Sequence, residues 1–128
     1  MELEVYGPDD ESKIPYLFKK LNQTDYIFIT SDRARGNIGR LPKDFPVMTQ
    51  YYKALDEGTL GFTKVSEITS FPQLFGIGIN DSSAEEAFWV YDHPTVRIYR
   101  KDRNLSETEF NCVLQGRKYL GNQRCAEL

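Results

Sequence analysis

The chain has 128 residues, 40% of them hydrophobic and 27% charged, with a formal net charge of −3. That length suits one domain around a single continuous core, and the ordinary apolar content excludes a disordered chain. The mild acidity argues against a general nucleic-acid binder, and no stretch approaches the ~20 apolar residues of a membrane-spanning helix.

The start, "MELEVYGPDDESK", is acidic and lacks the basic head and apolar run of a secretory signal. Within it Leu3 to Tyr6 alternates apolar and polar residues, which predicts a short strand. "GPDDES" then breaks the chain with residues suited to a helix start. Ile14, Leu17, Phe18 and Leu21 follow at i, i+3, i+4 and i+7, so they share one helical face. Pro15 is tolerated only near the first turn and places the helix start within a residue or two of Ser12. "DYIFIT", Asp25 to Thr30, is β-branched and aromatic and predicts a buried strand. Strand, helix and strand within thirty residues predict a right-handed βαβ unit whose two strands are parallel.

Ser31 to Pro46, "SDRARGNIGRLPKDFP", shows no apolar period and is expected as a long loop beyond the carboxyl end of that strand. Its Arg33, Arg35, Arg40 and Lys43 face only Asp32 and Asp44, a basic segment in an acidic chain. Ligands of open α/β sheets favour this position, and arginine forks suit a phosphate or carboxylate. The competing reading is a solvated loop whose arginines pair with acids such as Asp81, Glu85 or Glu86. Next, Met48, Tyr52 and Leu55 share a helical face flanked by Val47 and Tyr51, and Gly58 is a helix stop. "GFTKVSEITS" and "LFGIGI" predict strands around the turn "SFPQ". "GIGIN" lacks the later glycine and helix of a dinucleotide site, and no phosphate-loop lysine follows any glycine run.

"FWVYDHPTVRIYRK", residues 88 to 101, predicts two strands around a corner at Tyr91, Asp92, His93 and Pro94. Phe88 and Val90 share one face and Trp89 and Tyr91 the other; Val96 and Ile98 oppose Arg97 and Tyr99. Asp92 beside His93 suggests a reactive pair, but that chemistry needs a nucleophile and a third group, and no G-x-S-x-G is present. Turn chemistry accounts for all four residues, so they are assigned to a structural turn. Tyr51, Tyr52, Tyr91 and Tyr99 suggest a carbohydrate platform, against the more usual role of aromatics in packing a core.

Ser106 and Glu109 make an S-x-x-E capping box, with Leu105 and Phe110 at the hydrophobic-staple positions; Phe110, Val113 and Leu114 give the helix its apolar face. After Gly116 the chain is expected to fray, giving one α/β domain over residues 1–116 and a loose tail over 117–128. Two cysteines, one histidine and no C-x-x-C fall short of a structural zinc site, and no metal or cofactor is assigned. Cys112 is expected on the helix and Cys125 in the tail, free unless an oxidising compartment joins them. The fold expected is a single compact α/β domain with a mixed sheet, an N-terminal parallel βαβ unit, an antiparallel hairpin through Asp92-His93-Pro94 and flanking helices.

"DYIFITSDR", "RLPKDFPVMTQYYKAL", "GTLGF", "SFPQLFGI", "AEEAFWVYDHPTVRIYRK" and "LSETEF" stand in an order that carries a further signal. Together, from about Leu3 to Leu114, they resemble the carboxyl-terminal soluble region of multi-pass membrane proteins related to dolichyl-phosphate-mannose–protein mannosyltransferases. The chain departs from that pattern with Arg35 in place of an aromatic residue and Gln73 in place of a basic one. The resemblance implies an accessory or acceptor-contacting domain on the extracytoplasmic face of a glycosyltransferase-like parent. Its implied partners are the parent's membrane-embedded domain and a lipid-phosphate-sugar or acceptor. Catalysis in such proteins is associated with acidic loops of the membrane region, so the resemblance places no catalytic residue here. The alternative expectation is a free-standing α/β enzyme or anion-binding domain using the Ser31–Pro46 arginines and the Asp92-His93 turn.

Overall fold

The computed structural model describes residues 2–69, 73–74, 77–78 and 95–127. Helix α1 spans Lys13–Asn22, with Pro15 at its third position, where the missing N–H has no intrahelical partner to lose. Its Ile14, Leu17 and Leu21 are buried, as their spacing requires, and Phe18 packs at the edge of the core. Strand β1, Tyr26–Ile29, follows, then α2, Arg33–Arg40, and α3, Pro46–Asp56. The long loop expected from Ser31 to Pro46 therefore contains two turns of helix. One apolar residue, the fully buried Ile38, anchors α2, and a single anchor leaves no apolar period to read. In α3, Val47, Met48, Tyr51, Ala54 and Leu55 are buried, and Gly58 takes φ +72° as the chain leaves the helix. That left-handed conformation strains any residue with a Cβ.

Strand β2, Phe62–Thr69, leads to a short ladder of β3, Gln73–Leu74, against β4, Ile77–Gly78. "LFGIGI" is thus two arms rather than one strand. Strand β5, Thr95–Lys101, is the centre of an antiparallel sheet of order β1-β5-β2. Leu3 to Tyr6 forms no strand, and β1 pairs antiparallel with β5, so no parallel βαβ unit is present among the described residues. The periodicity of a segment reports its faces, not its partner, and β1 is paired by β5, a strand distant in sequence.

Tyr91, Asp92, His93 and Pro94, with the strand predicted from Phe88 to Tyr91, lie outside the described residues, as do Asp81, Glu85 and Glu86. Arg97 to Arg100 of β5 pairs with β1 on one side, and Thr95 to Lys101 pairs with β2 on the other.

Helix α4, Glu107–Leu114, begins at Ser106, whose side chain accepts the Glu109 N–H at 3.2 Å. Leu105 and Phe110 are both buried in the staple arrangement. The Glu109 carboxylate turns to Arg103 at 2.9 Å instead of completing the box. Residues 117–127 do not fray. Strands β6, Arg117–Gly121, and β7, Arg124–Glu127, form an antiparallel hairpin. Asn122 and Gln123 both have positive φ, the backbone of a type I′ turn, which matches the twist of tight hairpins. A Cys112–Cys125 disulfide, with Cα atoms 5.5 Å apart, ties β7 to α4.

Candidate functional site

The inner face of the sheet is the one that reads as polar. Arg97 and Tyr99 share it, opposite Ile29 and Ile27 of β1, while Val96 and Ile98 point outward. Tyr99 is fully buried, and its hydroxyl donates to Asp56 Oδ1 at 2.9 Å. Asp56 also pairs with Arg35 of α2. Arg97 pairs with Asp32, at the start of α2, and its Nε lies 3.3 Å from Glu67 Oε2. Lys64 Nζ lies 2.6 Å from the same Glu67 oxygen. These pairs stitch α2 to β5, β2 and α3 and hold the segment that follows β1.

Each charge in this row has an opposite beside it. Burial works against the charge on Arg97, but the hydrogen bond and charge of Asp32 more than offset it, so the guanidinium is held charged above its usual range. The Lys64 hydrogen bond, helped by Arg97, holds the Glu67 carboxyl below the ordinary glutamate value. Burial first, and then the bond to Asp56, push the Tyr99 phenol up to about 12. Burial likewise pushes Tyr52 up to about 12 and Tyr51 further. None of the three phenols is set up to lose a proton at neutral pH, so the row acts as a clamp rather than as an acid and base.

The structure separates the four predicted basic residues. Arg35 is committed to Asp56, a partner none of the nearby acids anticipated. Arg33 and Arg40 are exposed and lie seven positions apart on α2, which puts them on one helical stripe about 10 Å apart. Lys43 is exposed in the connection to α3. Tyr51 and Tyr99 are core residues and offer no sugar platform. Asp56, Glu67 and Arg97 were not singled out from sequence; Glu67 meets Arg97 through the sheet register, and Asp56 meets Tyr99 from the end of α3.

A second feature lies on the other side of the sheet. Tyr26 and Phe28 of β1, Val96 and Ile98 of β5 and Ile68 of β2 share the outer face by register. Phe28 is 60% exposed, Ile68 59% and Tyr26 50%. Antiparallel sheets with one wet face usually alternate apolar-in and polar-out; here five apolar residues share the outer face with Thr63, Ser66 and Arg100. Among the described residues no group of His, Cys, Asp or Glu is placed to hold a metal ion, and no helix is long and apolar enough to cross a membrane. The chain matches no known family model, no curated protein and no solved structure.

Proposed function

We propose that this chain is a non-catalytic accessory domain of a membrane glycosyltransferase-like protein, docked through the outer face of the β1-β5-β2 sheet. The carrying observation is that face, with Phe28 and Ile68 each well over half exposed. Three strands about 4.8 Å apart and some four residues long present on the order of 200–300 Å². A stable interface between free partners takes about 800 Å² from each side. A tethered partner needs less, because linkage supplies a high effective concentration. A patch of this size therefore suits a neighbour in the same polypeptide.

The Cys112–Cys125 disulfide supports the extracytoplasmic setting implied by the sequence resemblance, since such bonds persist in oxidising compartments. The neutralised clamp of Arg35, Asp56, Arg97 and Glu67 supports a structural rather than a reacting role. The test has two parts. The gene upstream of the Met1 codon is expected to encode several apolar spans in frame. A photo-crosslinker placed at Phe28 in the resulting protein is expected to join this domain to that membrane region. An independent start with its own ribosome-binding site and no spans overturns the reading.

The exposed Arg33–Arg40 stripe favours a second reading, an anion site for a phosphate-bearing lipid or sugar donor. Its two guanidiniums would give directed bonds and Lys43 a less directional charge. Amide shifts clustered between Ser31 and Phe45 on titration with a short-chain polyprenyl phosphate, weakened by salt and lost in Arg33→Ala/Arg40→Ala, support it. Shifts seen equally with inorganic phosphate assign the site to the phosphate alone.

A further inference from the structure

Three of the chain's six asparagines open an Asn-x-Ser/Thr triplet with no proline inside it: Asn22-Gln23-Thr24, Asn80-Asp81-Ser82 and Asn104-Leu105-Ser106. Such triplets are acceptors of N-linked glycans, which are bulky and need a surface position. With three of them present, the triplet alone does not choose an acceptor. Asn80 to Ser82 lie outside the described residues. The fold separates the other two.

Asn22 is exposed, but it is the last residue of α1 and is held in helical backbone. The Thr24 hydroxyl donates to the Lys20 carbonyl at 2.8 Å, so its one proton is spent inside the chain. Asn104 stands in the connection from β5 to α4, outside any helix or strand, and is exposed. Its neighbours are anchored on both sides. The Asp102 and Arg103 N–H groups donate to the Gly61 carbonyl at 2.9 and 3.3 Å, and Leu105 is buried in the core. Asn104 faces solvent between them, and its side-chain amide bonds no other described residue. Ser106 has extended backbone, with φ −68° and ψ 157°. Its oxygen accepts the Glu109 N–H at 3.2 Å, which leaves its hydroxyl proton without an acceptor among the described residues. The cap and staple of α4 fall to Ser106, Leu105 and Phe110, so neither employs the Asn104 amide.

We infer that Asn104 carries an N-linked glycan, transferred to the folded chain from a lipid-diphosphate-linked oligosaccharide by a membrane transferase. In that step Nδ2 of Asn104 forms a bond to the anomeric carbon of the first sugar. The bond from that carbon to the diphosphate oxygen breaks, the lipid diphosphate leaves with the electron pair, and one amide proton is lost. Asn104 and Ser106 meet the demands of the step together: an unbonded amide and an available hydroxyl on an exposed loop. The Cys112–Cys125 disulfide agrees with an export compartment in which such donors are used. The inference rests on the extracytoplasmic setting proposed above, but on neither the parent protein nor the docking face.

The test is mass spectrometry of the protein purified from its own cells, reduced and digested with trypsin. The peptide Asn104 to Arg117 is expected mainly as a glycopeptide whose fragments place the sugar on Asn104. The peptide Leu21 to Arg33 is expected unmodified. Asn104→Gln is expected to lose the adduct completely while Cys112 and Cys125 stay oxidised; Ser106→Thr, which keeps the hydroxyl, is expected to retain it. An unmodified Asn104 overturns the inference, as does an adduct that survives Asn104→Gln. Alkylation before reduction then shows which premise failed. Free cysteines remove the extracytoplasmic setting as well, whereas oxidised cysteines leave it standing. Equal occupancy at Asn22 also overturns the inference, because the triplet rather than the folded loop would then select the acceptor.

Discussion

Asp9 caps helix α3 from a position 38 residues before Val47, whose N–H it accepts at 2.7 Å. The same carboxylate oxygen accepts the Met48 N–H at 3.1 Å, and the other oxygen holds Lys13 Nζ at 3.0 Å. Lys13 completes its own bonding with the Val5 carbonyl at 3.0 Å. Phe45, the local residue at the N-cap position, offers no side-chain acceptor, so the first turn of α3 depends on this borrowed carboxylate. The pair is buried, with none of the Asp9 side chain exposed. Breaking a buried pair leaves one charge uncompensated. Asp9→Ala is therefore expected to lower stability by about 3–5 kcal/mol in urea unfolding. Asp9→Asn retains an acceptor for the helix and is expected to cost less.

The C-terminal hairpin is held by a crosslink as well as by packing. Cys112 and Cys125 enclose a short loop, with a sequence separation of 13. Closure of a loop of that size is worth about 3 kcal/mol in the unfolded-chain model. Reduction, or Cys112→Ser with Cys125→Ser, is expected to remove about 2–4 kcal/mol. Amide exchange should accelerate most at Arg117 to Glu127, and comparison of the two forms by hydrogen exchange checks it.

Alkaline titration reports on the packed phenols. Tyr52 and Tyr99 lose their protons at about 12 in the folded chain, against an ordinary value of 10.0, and Tyr51 later still. The unfolded chain ionises first, so it is the unfolded state that gains as pH rises. Stability from these groups is fully present below pH ~10 and is lost as pH climbs toward about 12. Tyrosinate absorbance at high pH is expected to show a late phase that coincides with loss of tertiary signal. Tyr99→Phe is expected to reduce that phase while leaving Asp56 paired with Arg35.

Gly61 takes φ +83°, and a Cβ there would come within 2.6 Å of the Arg103 carbonyl oxygen. That oxygen is backbone and cannot swing aside. Gly61→Ala is expected to cost more than the roughly 1–2 kcal/mol of the left-handed conformation alone. Thermal unfolding measures it. Gly39→Ala is a control, since a Cβ at Gly39 meets nothing within 4 Å.

Removal of Arg97 strips the clamp of its centre. Arg97→Met keeps the aliphatic stem but leaves Asp32 without this partner and leaves Glu67 with Lys64. A loss of about 1–3 kcal/mol is expected, the cost of an unsatisfied, largely buried polar group. Faster exchange in α2 than in α1 would locate the effect.

The elements whose cause is local were legible in the sequence. The α1 stripe of Ile14, Leu17 and Leu21, the Pro15 limit on its start, the Ser106 cap and the Leu105–Phe110 staple are set within one or two helical turns. The alternation of β5 was also legible, though not which face turned inward: burial went to the face of Arg97 and Tyr99 because Asp32, Asp56 and Glu67 meet it there. Strand partners were beyond local reading, and β1 found β5 rather than Leu3 to Tyr6. Helix α2 was hidden because Ile38 and a few ion pairs hold it in place of an apolar stripe. The hairpin after Gly116 was hidden because its turn lacks the Asn-Gly signal and its anchor is a covalent bond to Cys112. A sequence states which residues prefer water and which turns they permit. Pairing of Asp9 with Val47, or of Arg97 with Asp32, is decided only when the whole chain has closed and a charge left alone inside costs more than any local preference.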